Sequence, residues 1–509
     1  MSIRVLGELY LRSLPVEAEM SPIDRAIKHY LEGGEPDLFE LSDALKDMTS
    51  DREFLPPEVL DYGRTLLALN LLCAMHQPLH PLQALLYKLV QRFRHIPTWK
   101  EFQLSSALGD VNALLRNVDG DLSNPKQSQS GAIPLEWGGH WDWATSPHAH
   151  AHAEQGLLWA IIGKLSGTQH YLQAALRGAQ WLLNTLDGQY FPMQGLYVQE
   201  ASAALDRQLI LNYLYFHAVA KLCDQGQFAY LAQRQLGHIQ NLASSHSIKV
   251  PLHLAMIERW IEKEGADVAP HFTPLNELIC DPNTALVGYR NAQQSAVCSL
   301  VGGNTGLGHF AYKDVAILAY GPQQFPIEDC SCFGVEQACT VNHNHLSNVS
   351  IDLEEKDFRL EGRVRIRGTR PNLNTFASYG NTKPSGVWMN AIQEFRSGKL
   401  SLMTSFYGVN SLSELAFSFF VKASQCVVDQ SHHLNKQSLD RYSGDLASIC
   451  FESEQAQLQI SPRHNRGEMQ VLPLGGSGNF WGADYLVSFY LATDPQTYHW
   501  ELTPSDRRS

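Results

Sequence analysis

The sequence predicts a multidomain α+β chain, with an N-terminal α/α toroid (an incomplete barrel of helical hairpins) followed by a C-terminal antiparallel β-sandwich. Three observations carry this. Apolar residues recur every three or four positions through the first half, the texture breaks after Trp260, and from Ala285 onward short runs alternate apolar and polar residues. The expected bounds are 1–262 for the toroid, 263–284 for a linker and 285–509 for the sandwich.

The helical period is clearest over Val59–Met75, Leu82–Phe93, Gln155–Leu165, Tyr171–Leu186, Ala201–Leu222 and Gln227–Leu242. Short turns such as Ser166-Gly167-Thr168 and Asp224-Gln225-Gly226 separate neighbours, which makes successive helices antiparallel pairs. After Trp260 the segment EKEGADVAPHFTPLNELICDPN is rich in Pro, Asp, Asn and Glu, and it carries no helical period. Beyond it, VAILAYGP, NVSIDLEEKDFRLEGRVRIRG, LSLMTSFYG, LAFSFFVKA and ADYLVSFYLAT read as strands, with a hairpin turning at Glu355–Asp357.

Composition narrows the function. With 44% hydrophobic and 18% charged residues over 509 positions, the chain is an ordinary globular protein, which excludes fibrous and disordered classes. A formal charge of −13 argues against a nucleic-acid partner, because displacing counterions from phosphate needs a basic surface. The N-terminus shows no basic segment followed by an apolar core, and the apolar runs fall short of a membrane span. A cytoplasmic protein without a membrane partner is expected, or one exported by another route. Nine scattered cysteines, an odd number, fit reduced thiols; only Cys330, Cys332 and Cys339 cluster.

Five segments could carry chemistry. Glu136, Trp137, His140, Trp141, Asp142 and Trp143 form the densest polar-aromatic stretch, suited to stacking on sugar rings or to wedging helices together. Ser146 and Pro147 open a helix on which His148 and His152, and likewise His150 and Glu154, stand one turn apart. That is a spacing for zinc or for a polar helix start. Asp187-Gly188 closes one helical hairpin and Tyr197 follows it, either as a proton-transfer group or as a core tyrosine. On a continuous strand, His343 and His345 share a face with Val349, Ile351 and Leu353, as ligands, substrate orienters or core histidines. Arg363, Arg365 and Arg367 make a basic stripe that can hold an anionic polymer or pair with Asp352 and Glu354 across the hairpin. Phosphate-cradling Gly-rich loops, GxSxG and HExxH are absent from the sequence.

The chain resembles the heparinase II/III-like polysaccharide lyases and their alginate-lyase relatives. His343 and His345, with Ser347 where that family has Asp, are similar to its H-x-H-x-D-x-x-S-F pattern, and Asp187, Gly188 and Tyr197 match its Asp-Gly followed by a tyrosine. His140-Trp141 is similar to the Asn or His beside an aromatic residue ahead of a long helix. The resemblance implies β-elimination at a uronic acid in an anionic polysaccharide or oligosaccharide. Tyr197 would be base or acid, His140 the neutraliser of the substrate carboxylate, and His343 a second proton carrier or substrate orienter. His345 would match a family metal ligand; no cofactor is required for the reaction, so any zinc or calcium would be structural. Two other readings stay open. One is an α/α-toroid glycoside hydrolase using two of Glu136, Asp142, Glu154, Asp187 and Glu200, and the other is a carbohydrate-binding protein without activity.

Overall fold

The helical period of the first half and the alternation of the second both become regular structure in the computed structural model. It describes residues 5–14, 19–48, 56–92, 108, 127–133, 149–196, 205–245, 248–300, 306–324, 333–335, 349–366, 387–408, 415–437, 440–464, 467–475, 480–491 and 497–507. The helices are α1 (Val5–Ser13), α2 (Pro22–Leu31), α3 (Leu38–Met48), α4 (Pro56–Met75), α5 (Gln83–Arg92), α6 (Ala149–Ser166), α7 (Gln169–Leu182), α8 (Leu205–Leu222), α9 (Gly226–Ser245) and α10 (Leu252–Glu264). Each of the six helical periods read from the sequence falls on one of these. α1, α2, α3 and α10 were not expected. In α10 the polar His253 and Glu258 are buried together with Leu254, Met256, Ile257, Trp260 and Ile261, so no polar stripe marks a surface face.

Two compact units divide the chain, and the division is not a single cut at 263–284. One unit comprises 1–126, 153–180 and 206–273; the other comprises 127–152, 181–205 and 274–509. In the helical unit α10 packs on α4 and α1, and α4 packs on α5. Glu258 is central to this packing, because its carboxylate accepts from the Leu6 and Gly7 amides of α1 and from Tyr213 Oη of α8. At an N-terminus the first helical amides have no partner within the helix, so a buried carboxylate supplies one.

The second unit holds eighteen strands among the described residues: β1 (Leu278–Asp281), β2 (Leu286–Arg290), β3 (Gln294–Ser299), β4 (Gly308–Tyr312), β5 (Val315–Gln324), β6 (Ser350–Glu354), β7 (Asp357–Arg365), β8 (Trp388–Arg396), β9 (Lys399–Tyr407), β10 (Leu415–Lys422), β11 (Gln425–Val428), β12 (His432–Asn435), β13 (Tyr442–Asp445), β14 (Ile449–Glu452), β15 (Ala456–Pro462), β16 (Glu468–Pro473), β17 (Tyr485–Tyr490) and β18 (Thr497–Asp506). β1 lies inside the stretch expected to be linker; at four residues it is too short to show alternation. The strands form two nine-stranded antiparallel sheets, ordered β1-β2-β3-β4-β5-β10-β17-β16-β13 and β12-β11-β14-β15-β18-β9-β8-β7-β6. Phe417, Phe419, Phe489 and Tyr320 of the first meet Trp500, Leu402, Met389 and Leu458 of the second in one shared core.

The opposite face of the first sheet is covered as well, since Leu286, Val297, Leu318, Phe420 and Leu486 pack with Trp181, Met193 and Leu196. Strands buried on both faces need no polar alternation. β10, LAFSFFVK, is accordingly buried from Leu415 to Val421. The second sheet keeps one face in solvent, and β7, β8 and β9 alternate strictly. The hairpin between β6 and β7 turns where expected, with Glu355 at φ 53°. Val349 and Ile351 pack on the core, but Leu353, at the far end of the edge strand, is exposed.

Candidate functional site

Most of the expected site residues lie outside the described residues: Glu136, Trp137, His140, Trp141, Asp142, Trp143, Tyr197, His343, His345 and Arg367, together with Glu200 and the three clustered cysteines. The described residues include segments that adjoin several of them in sequence. The six described cysteines are all free thiols.

The Asp187 turn is the most constrained of these segments. α7 ends at Leu182, a short 3-10 turn runs over Leu183–Thr185, and the chain doubles back so that Leu186 bridges Pro192. Asp187 Oδ1 accepts from the amides of Gln189 at 2.8 Å and Phe191 at 2.9 Å, which uses the carboxylate to close the turn. A Cβ on Gly188 would overlap the backbone oxygen of Asn291, so only glycine fits there. Gly195 stands at φ +74°, with Leu318 O against the position a Cβ would take.

Two buried side chains, one cationic and one neutral and neither expected as a site residue, hold this loop. Arg290, 2% exposed, donates Nη1 to the carbonyls of both Leu183 and Leu186, and Nε to Asn276 O. Burial pulls its pKa down to about 10, against the opposing pull of Asp187 and Tyr190, so it remains charged at neutral pH. His309 of β4 is hydrogen-bonded to the backbone of Leu318 and of Gln194; burial lowers it to about 4 and keeps it neutral. Arg290 therefore fixes the start of the loop and His309 its end, three residues before Tyr197. The sequence signal for either was weak, a single polar residue in an apolar strand.

His152 is fully buried at the start of α6. Its Nδ1 accepts from Ile133 N at 3.1 Å and its ring lies 4.7 Å from that of Trp181. That bond occupies Nδ1 of His152; its partner one turn earlier, His148, lies outside the described residues. No group of three or more His, Cys, Asp or Glu among the described residues could hold a metal ion.

The helical unit contains a second polar set. Gln155 of α6, Gln208 and Asn212 of α8 and His253 of α10 are all buried, and Gln208 Nε2 donates to Asn212 Oδ1 at 2.6 Å. Gln155 Nε2, Gln208 Oε1, Asn212 Nδ2 and His253 Nδ1 have no hydrogen-bond partner among the described residues. Burial, with Arg64 adding to it, lowers His253 to about 3, while Glu154 opposes. Beside them Glu154 pairs with Arg207 at 2.9 Å. A buried polar atom left unmet costs about 1–3 kcal/mol. The spacing of Gln208 and Asn212 at i and i+4 inside an apolar helix was the readable signal. Of the five carboxylates considered for hydrolysis, Asp187 and Glu154 are thus engaged, one in closing a turn and one with a guanidinium.

Register puts Arg359, rather than Arg363 or Arg365, opposite Asp352, and Arg359 pairs with Glu361 at 2.8 Å; Arg363 and Arg365 lie over the ring of Trp388.

No protein-family model and no curated protein matches the sequence. Among solved structures the chain is similar to the heparan sulfate lyase HepC of Pedobacter heparinus, at 9% identity and a TM-score of 0.40 over 92% of this chain. The chain spans 63% of that enzyme's length. A chondroitinase AC lyase is similar over 99% of this chain and 83% of its own, at 9% identity and a TM-score of 0.41. The Streptomyces coelicolor A3 chondroitin AC lyase, in complex with chondroitin sulphate, is similar over 98% and 82%, at 10% and 0.34. No helix among the described residues is long and apolar enough to cross a membrane.

Proposed function

We propose that the protein is a lyase that cleaves uronic-acid-containing polysaccharides or oligosaccharides by β-elimination. The observation that carries the reading is the Asp187–Gly195 loop. Its two glycines stand where no other residue fits, and buried Arg290 and His309 hold its ends, so the chain enters Tyr197 from a fixed conformation. Such support is what a proton-transfer group needs, because a loosely held base loses most of its effectiveness. The resemblance of His140, Tyr197 and the His343 segment to a lyase family points the same way.

In this mechanism Tyr197 acts on the C5 proton as base, or on the departing 4-oxygen as acid. His140 neutralises the uronate carboxylate so that the C5 proton becomes acidic enough to leave, and His343 carries a second proton or orients the sugar. No step is assigned to a metal.

The test is ultraviolet absorbance during incubation with alginate, heparan sulfate, chondroitin sulfate, hyaluronan and pectate. The expected result is the rise of a conjugated double bond on at least one polymer, lost in Tyr197→Phe. Reducing ends released without that chromophore would overturn elimination in favour of hydrolysis, and a rise that survives Tyr197→Phe would remove Tyr197 from the chemistry.

A further inference from the structure

On the solvent face of the second sheet, Arg363 has no carboxylate partner among the described residues and lies against aromatic rings instead. Across most of that face each base meets a carboxylate: Arg359 and Arg396 meet Glu394, and Lys399 and Arg463 meet Glu501. Near the ends of β7, β8 and β9 the pattern changes. Register sets Arg365 beside Trp388 and Trp388 beside Tyr407 in one row, with Arg363 beside Asn390 in the next. The Arg363 guanidinium lies 5.1 Å from the ring centre of Trp388 and 5.6 Å from that of Tyr407, and Arg365 lies 5.9 Å from Trp388. No carboxylate of a described residue pairs with Arg363. Tyr407 is 43% exposed and its hydroxyl accepts from Asn390 Nδ2 at 3.4 Å.

A guanidinium laid on an aromatic ring keeps its N–H edge in solvent while losing rotational freedom, which presets the fork that binds carboxylate or sulfate with two parallel bonds. Exposed tyrosine beside it offers an apolar surface to the C–H face of a sugar ring. We propose that Arg363, Arg365, Trp388 and Tyr407 form a docking platform for the acidic groups of a uronate-containing glycan on the outer face of the second sheet. The proposal rests on the glycan reading above and adds a place on the sandwich where the polymer is held. In a chain of formal charge −13, a local pair of guanidinium groups without a carboxylate partner for Arg363 is where an anionic chain gains most and is repelled least.

The full-length chain is titrated with octasaccharides of hyaluronan, whose acid is carboxylate alone, and of chondroitin sulfate, which adds sulfate, with dextran as the neutral control. Single-stranded DNA serves as an unrelated polyanion. Arg363→Ala and Trp388→Ala are expected to weaken binding of the acidic octasaccharides about tenfold, as for a central contact, and Arg363→Lys by less. Arg396→Ala, the same charge change elsewhere on the face, should leave binding within about twofold. Equal loss for both glycans assigns the platform to carboxylate, and loss for chondroitin sulfate alone assigns it to sulfate. Unchanged binding in Arg363→Ala, no preference over dextran, or single-stranded DNA bound as well as glycan would each overturn the proposal. Absorbance of the same samples separates the two readings. Binding that depends on Arg363 with no unsaturated product here or on any of the five polymers above sinks the lyase and keeps the platform, while product formed with binding indifferent to both variants sinks the platform alone.

Discussion

Trp181 Nε1 donates to Asp281 Oδ2 at 2.7 Å, and the same oxygen accepts from Thr284 Oγ1 at 2.7 Å. Both Trp181 and Asp281 are 1% exposed, so one carboxylate oxygen serves two buried donors beside the turn that leads into β2. Asp281→Ala leaves both donors without an acceptor, and the expected loss is about 3 kcal/mol. Urea unfolding followed by tryptophan fluorescence measures it. A loss below about 1 kcal/mol would mean that water replaces the carboxylate at little cost.

Gly188→Ala places a methyl group against Asn291 O, and backbone on both sides has to move. The expected cost is about 1–3 kcal/mol, together with a drop in turnover larger than the drop in melting temperature implies, because the displaced loop leads to Tyr197. Full turnover in a stably folded Gly188→Ala would separate the loop from the chemistry.

Glu258 gives the helical unit a pH dependence of definite sign. Burial raises its pKa to about 7 from 4.5, and the bonds from Tyr213, Leu6 and Gly7 only partly oppose it. A raised carboxyl pKa contributes stability that is fully present below about pH 4.5 and is lost as pH rises through about 7, on the order of 3 kcal/mol in all. The buried neutral His253 and His309 gain stability over part of the same range, so the sign is read as a difference: from pH 5 to pH 8 the natural protein should lose stability relative to Glu258→Gln, whatever that substitution costs at a single pH. Equal slopes in the two would place the titration elsewhere.

The Gln208 and Asn212 pair predicts a small cost of substitution. Replacing both by Leu removes polar atoms whose bonding capacity is only partly met, so stability should stay within about 1 kcal/mol. Urea unfolding of the double variant measures it, and a loss above about 2 kcal/mol would mean that the pair's bonds are met in the folded state.

Much of the fold was legible because period is a local property. LAFSFFVKA and the Arg363 hairpin read as strands from side-chain alternation or apolar run alone, and α6 to α9 from three- and four-residue spacing. α10 escaped because two of its polar residues face inward, and β1 because four residues are too few to alternate. The site was less legible. Asp187-Gly188 was visible as a motif, but Arg290 and His309 support it from more than a hundred residues away in the chain, and no spacing rule reports such a distance. Arg363 could be placed on a strand face from sequence; that Trp388 and Tyr407 would stand next to it required the register of three strands.

The interleaved course of the chain has a practical corollary. Segments 127–152 and 181–205 belong to the unit of the sheets, while 153–180 and 206–273 belong to the helices. A fragment starting at residue 263 would therefore lack Trp181, Met193 and Leu196, and would bare an apolar sheet face that those side chains cover. Neither half can be made by one truncation, and recombining such halves between related proteins would break both. The nascent chain also leaves most of its β-structure until last. During synthesis Trp181 must wait for Asp281, one hundred residues later, before its indole nitrogen has its partner.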